Sequence, residues 1–374
     1  MWYSIKSVRF VRLEPRKWGK YMTMDSLWEP ALLGPLQLRN RTVRSATNEH
    51  LAERDGQVSE ALIACYEELA KHGVGLVITG HFSVAAEGRT DLGQPLIYEA
   101  TDRELLRRAA EGVHRQGGKI VMQISHGGRK TSEAVSGYPP REPDSLSEEE
   151  LWVIRRQFVR AAKLAGETGF DGVQVHGAHG YLLSDFHNPK ENRRSDSYGG
   201  GLANRFRLTG EILRGIRKEM GPDFALLLKV NGNDGSDFPA LLQLAEEAGA
   251  DAVEISGLDF SARKIRNGEP YYLKEWQTGV QAVAIPLILV GGLHEETAVR
   301  KALEAGVPFL SFCRPLICQP DFLERLQRGE EGKCTSCNQC FKIYTSAFRR
   351  CVQHREENPQ LRKTYNGCRS SCRR

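Results

Sequence analysis

Short apolar runs recur along the chain at 42–46, 76–80, 119–124, 172–175, 225–230, 252–255, 287–290 and 309–312, each bounded by glycine or polar turns. Within them the apolar positions are continuous rather than alternating. That is the pattern of parallel strands covered on both faces, because a half-exposed strand would alternate. Between the runs lie segments with helical spacing, at 59–71, 102–116, 147–167, 202–219, 239–248, 276–283, 295–304 and 321–328. The third opens with Ser147 and three glutamates, which suit an N-terminal cap. Eight strand–helix units over ~300 residues predict an α/β fold of the closed (β/α)8 TIM-barrel type. A doubly wound open sheet is the alternative, but it would want a glycine-rich fingerprint after its first strand. The run at 42–46 leads instead into TNEHLAERDG.

The predicted organisation is a basic extension at 1–24, the barrel at 25–330 and a Cys-rich, basic segment at 331–374. The net charge of +5 hides an asymmetry: residues 1–20 carry +5 and 341–374 carry +7, leaving −7 on the rest. Positive charge confined to two tails around an acidic body argues against a nucleic-acid groove, which would spread it over a folded face. No apolar run is long enough to span a membrane, and the first 20 residues lack the apolar core of a secretory signal. Six of the nine cysteines fall in the last 41 positions, which suits metal or redox chemistry in a reducing compartment. A cytoplasmic protein without nucleic-acid or membrane partners is the expectation.

In a barrel, chemistry sits where strands end. The first predicted strand ends in Ser45-Ala46-Thr47-Asn48, the second in His81, and the fourth delivers His176, His179 and Tyr181. Gln123 lies inside the third strand and Lys229 inside the fifth. Burying such groups unpaired would cost a few kcal/mol each, so a ligand is the natural partner. Gly291-Gly292 after the seventh strand and Cys313-Arg314 after the eighth stand at the usual barrel phosphate position. Two histidines and a tyrosine within six residues offer two donors and a phenolic acid at one strand end; zinc ligation would need His81 as third ligand.

The runs NRTVRSAT, GLVITGHFSV, VMQISHGGR, DGVQVHGAHGYLLSDFHNP, NRRSDSYGGGLANRFR and SFCRPL together resemble the Old Yellow Enzyme family of flavin oxidoreductases, collinearly over about residues 25–330. The resemblance implies an FMN barrel that takes hydride from NAD(P)H and reduces activated C=C bonds of a small-molecule substrate. It implies that His176 and His179 hydrogen-bond a substrate carbonyl, the logic of an oxyanion hole, and that Tyr181 supplies the proton as general acid. Gln123 matches the position facing the flavin pyrimidine edge. Lys229 matches an arginine near flavin N1 and O2, while Gly291, Gly292, Cys313 and Arg314 match the phosphate cradle. Ala46, Thr47 and Asn48 replace a turn whose last residue contacts flavin O4 and tunes its potential. His81 puts an imidazole where a small residue is frequent, beside the flavin edge, and Cys313 stands where glycine is common.

The spacing Cys334-x2-Cys337-x2-Cys340, with Cys351 beyond, suits a 4Fe–4S iron–sulfur cluster or a zinc site. It resembles the cluster segment of flavin/iron–sulfur relatives of the 2,4-dienoyl-CoA reductase and trimethylamine dehydrogenase type. Those pass electrons to an appended domain or a protein acceptor. With the sequence ending at Arg374, no FAD domain is expected here, so a cluster would imply an electron-transfer partner; a homo-oligomer is the other association considered. Three further readings compete with the reductase: amine oxidation, which needs an aromatic cage; a Schiff-base lyase built on Lys229, which leaves the His176–His179–Tyr181 group idle; and a non-catalytic electron-transfer or metal-sensing module built around the tail cysteines.

Overall fold

A computed structural model describes residues 21–259, 268–341, 351 and 353; the basic extension up to residue 20, Cys368 and Cys372 lie outside the described residues. Eight parallel strands form the barrel: β1 (Thr42–Arg44), β2 (Leu76–Ile78), β3 (Lys119–Ser125), β4 (Gly172–Gly177), β5 (Ala225–Asn231), β6 (Ala252–Ser256), β7 (Leu287–Val290) and β8 (Phe309–Phe312). Each pairs with its neighbour in order. β8 returns to β1 through Leu310 opposite Thr42, and β2 pairs with β3, so the sheet closes without an edge. The (β/α)8 expectation holds.

The helices that follow the strands are α1 (Glu60–Lys71), α2 (Arg103–Arg115), α3 (Glu148–Glu167), α4 (Leu202–Met220), α5 (Phe238–Glu247), α6 (Leu273–Gly279), α7 (Glu296–Glu304) and α8 (Phe322–Gln327). Their starts carry the caps that polar residues at those positions provide. Ser59 accepts from the Leu62 N–H, Asp102 from Glu104 and Leu105, and Ser147 and Glu150 form a reciprocal capping box at α3. Helix α6 begins three residues before the segment read from the sequence and ends four before it, because its buried anchor, Trp276, sits mid-helix and donates to the Leu287 carbonyl.

Two apolar layers hold the fold. The larger lies between strands and helices; the smaller fills the lower barrel with Val43, Ile78, Val121, Leu227 and Ile288. A hairpin (Ala31–Leu33 and Leu36–Leu38) plugs that lower end with Leu33, Leu36 and Leu38. Its turn needs Gly34, at φ +55°, since a Cβ there would come within 2.5 Å of Asp251. Above this layer the barrel lining turns polar, with Gln123, Gln174, Lys229, Glu254 and Ser311 all buried. The chemistry therefore has a dry floor and an upper mouth.

Candidate active site

The strand ends open into a cavity of about 1020 Å³. All thirteen candidate catalytic and flavin-binding residues line it, from Ala46, Thr47, Asn48 and His81 through Gln123, His176, His179, Tyr181 and Lys229 to Gly291, Gly292, Cys313 and Arg314. Residues as far apart in the chain as Ala46 and Arg314 are thus gathered by the barrel closing on itself.

One wall belongs to β4. His176 is its last but one residue, and the chain then turns through His179 (φ +65°) and Gly180 (φ +70°), a left-handed pair that is uncommon for a histidine. Several bonds hold the turn. The His179 N–H donates to Asn231 Oδ1 at 3.0 Å, its Nε2 pairs with Ser256 Oγ at 2.8 Å, and Lys130 Nζ donates to its carbonyl at 2.5 Å. The result is an aromatic group: ring centroids lie 4.7 Å apart for His176 and Tyr181, and 5.1 Å for His176 and His179. His81 completes it, with its ring 5.2 Å from Tyr181 and its Nε2 3.5 Å from the phenol oxygen. The sequence reading set His81 beside the flavin edge; in the fold it stands within reach of Tyr181. Lys130, unnoticed in the sequence, lies 5.5 Å from the Tyr181 ring centroid.

Burial pushes both imidazoles, His176 and His179, well below the usual histidine range, and the nearby cationic groups Lys229 and Lys130 push the same way. Both are neutral donors at neutral pH. Nδ1 of His176 is buried without a hydrogen-bond partner among the described residues, an atom that a bound ligand would satisfy.

Across the barrel mouth from β4 stand the ends of β7 and β8. A Cβ on Gly292 would come within 2.4 Å of the Glu269 carbonyl and 2.8 Å of Tyr271, so the backbone there comes as close to its surroundings as a glycine allows. Arg314, mostly buried, sets its guanidinium 5.4 Å from the Tyr271 ring centroid. Thr47 and Cys313 bring the first and last strands together, Oγ1 to Sγ, at 3.1 Å. The Asn48 amide is committed elsewhere: it donates to Asp91 at 2.8 Å and accepts from the His50 N–H. Asp91 also faces the His50 ring at 3.0 Å. Burial opposes its charge, but His50, His81 and Asn48 prevail and draw the carboxyl down to about 2. His50 and Asp91 line the mouth and were not found from sequence; Asp91 lies outside any motif, and its partners are set by the loop's path.

A cavity of this size with a cation and an amide on its floor, a glycine pair and arginine at one side, and an unsatisfied imidazole at the other fits FMN. Lys229 is buried between Ser45 Oγ (2.8 Å) and Glu254 (3.1 Å). That environment pairs it as a cation and works against the Schiff-base reading, which needs a free amine.

The cysteine segment gains no support as a metal site. Cys334, Cys337, Cys340 and Cys351 do line one small cavity, together with Arg314, yet among the described residues no group of three or more His, Cys, Asp or Glu could hold a metal ion. The loop's conformation serves other bonds. Ser336 and Asn338 are both left-handed, at φ +58°; Ser336 Oγ meets His294 at 2.6 Å and Tyr271 at 3.1 Å, and Asn338 accepts from Arg314 at 2.6 Å. Burial pushes the Cys334 thiol up to about 11. An iron–sulfur or zinc site at these cysteines is not supported among the described residues.

Residues 26–333 match the family model described as NADH:flavin oxidoreductase / NADH oxidase family. An NADH oxidase of Thermoanaerobacter brockii is 32% identical over 345 residues, 84% of this chain and 53% of that protein. A 4,4'-dithiodibutanoate disulfide reductase of Rhodococcus erythropolis is 29% identical over 87% of this chain and 94% of its own. The solved structure of an old yellow enzyme homologue from Zymomonas mobilis superposes with a TM-score of 0.75 at 25% identity, covering 86% of this chain and 99% of that one. The chain thus spans about half the length of the Thermoanaerobacter relative and most of the other two. No helix among the described residues is long and apolar enough to cross a membrane.

Proposed function

The chain belongs to the NADH:flavin oxidoreductase / NADH oxidase family, that of Old Yellow Enzyme, and from that premise we propose that it is an FMN-dependent, NAD(P)H-oxidising reductase of activated C=C bonds. The observation that carries the reading is the gathering, around one cavity, of a phosphate-type cradle and a histidine–histidine–tyrosine wall. FMN bound there would supply two-electron redox chemistry, accepting hydride from NAD(P)H and delivering it to the alkene.

The protein's own groups do the rest. Gly291, Gly292 and Arg314 would hold the FMN phosphate, and Gln123 and Lys229 would bind its pyrimidine edge. His176, buried, and His179, half-buried, both neutral, donate hydrogen bonds to the carbonyl conjugated with the alkene. Charge that develops on that oxygen is stabilised without any proton having to move. Tyr181, packed against His176, gives its phenolic proton to the α-carbon, and His81 at 3.5 Å connects the phenol to Ser125 and Gln94. The buried wall excludes water from the oxygen being polarised, which strengthens each of these bonds.

Half-reaction kinetics of Tyr181→Phe test this. Oxidation of the reduced enzyme by an enone should slow by about 10²- to 10⁴-fold, the usual contribution of a general acid, with reduction by NAD(P)H nearly unchanged. Equal losses in the two half-reactions would remove Tyr181 from the role of proton donor.

A further inference from the structure

Glu254 is a charge in the barrel that the proposed reaction does not use. It lies on β6 with no solvent exposure, where a carboxylate is costly unless each oxygen is bonded. Both are. Oε2 lies 3.1 Å from Lys229 Nζ and accepts from Gln174 Nε2 at 3.0 Å, and Oε1 accepts from Ser311 Oγ at 2.7 Å. Burial raises its proton affinity, but Lys229 and the donors on Ser311, Gln174 and Ser45 outweigh that and keep it ionised. The strand register makes these neighbours, with Lys229 beside Glu254 and Gln123 beside Gln174.

The consequence runs through hydrogen-bond polarity. An ionised carboxylate only accepts, so Gln174 must turn its NH2 toward Glu254. Its carbonyl oxygen then accepts from Gln123 Nε2, at 2.7 Å. With one N–H of that NH2 committed to Gln174, the Gln123 amide is held in one orientation, which leaves its carbonyl oxygen for the cavity it lines. One buried anion therefore fixes an amide two residues away, and it also opposes part of the Lys229 charge.

We infer that Glu254 is a positioning residue for the cofactor's pyrimidine edge, holding Lys229 as a partly offset cation and, through Gln174, Gln123 as an acceptor. The inference rests on the FMN reading. It predicts that the balance between oxidised and reduced FMN is set by the carboxylate as well as by the lysine, because reduced FMN carries more negative charge at that edge and gains more from an unopposed cation.

The test is a redox titration of the FMN-loaded full chain against Glu254→Gln and Glu254→Asp, with FMN dissociation constants measured by flavin fluorescence. Glu254→Gln should shift binding in favour of reduced FMN by about tenfold, ~30 mV upward for a two-electron couple. Glu254→Asp, which keeps the charge, should stay near the wild-type potential. A Glu254→Gln protein with wild-type potential and wild-type FMN affinity would overturn the inference, since a merely structural carboxylate would lower the melting temperature without moving the potential. Should Glu254→Gln not fold, Gln174→Met breaks the relay at its middle and leaves the Lys229–Glu254 pair in place. FMN binding weakened about tenfold then supports the inference, and unchanged binding overturns it. A wild-type chain that binds no FMN would instead remove the flavin reading on which it rests.

Discussion

Lys130 illustrates how much a single side chain can do by holding backbone. Its ammonium bonds the carbonyl of His179, whose left-handed conformation turns the chain at the end of β4, and its end lies beside Gly180. A hydrogen bond to a charged group contributes about 1.5–3 kcal/mol. Lys130→Met should therefore lower kcat/KM of the alkene half-reaction about tenfold or more, with flavin reduction by NAD(P)H unaffected. Stopped-flow comparison of the two halves checks this, and an unchanged alkene half would refute it. The sequence made His176, His179, Tyr181 and Lys229 visible because a polar residue at the end of an apolar strand has no packing duty. It did not yield Lys130, His50 or Asp91, which sit on loops whose paths no periodicity encodes. Glu254 was legible in principle: an acid inside the run at 252–255 beside a strand carrying an internal lysine is an opposite-charge pair across two strands.

At the scale of elements, the strands follow the sequence reading closely because each apolar run is buried on both faces. The hairpin at residues 31–38 and the short helices Leu182–His187 and Arg314–Cys318 were not read, being too short to show a period. The segment after α8 was read for its thiols, and its structure puts the weight on the residues between them. Ser336 and Asn338 tie it to His294, Tyr271 and Arg314, so the loop buttresses the end of the cavity assigned to phosphate. Asn338→Ala should free the guanidinium to move and weaken FMN binding about tenfold, the equivalent of ~1.4 kcal/mol. Riboflavin, which has no phosphate, should bind both proteins alike. Equal weakening for riboflavin and FMN would mean that the loop does not act through the phosphate.

For the molecule as a whole, buried histidines set the response to acid. His126 and His187 are pushed down to about 4 by burial, and His176 and His179 fall well below the usual range. In the unfolded chain each would take up a proton near its ordinary pKa of 6.5, so the unfolded state binds more protons below that pH and stability falls as pH drops. From pH 7 to 5, His126 and His187 each account for a loss on the order of 2 kcal/mol. Asp185 works the other way. Burial raises its carboxyl to about 6, so the folded state takes up a proton first and regains about 1 kcal/mol over the same window. The melting temperature should therefore fall between pH 7 and pH 5; a flat or rising profile would contradict the burial of these imidazoles as neutral groups. The most direct test of the whole account is a titration of the purified, cofactor-stripped chain with FMN, followed by anaerobic addition of NADH or NADPH. One FMN bound per chain, quenched on binding and bleached by the reduced nicotinamide, is the predicted result. A chain that binds no flavin, or binds it and is bleached by neither nucleotide, would contradict it.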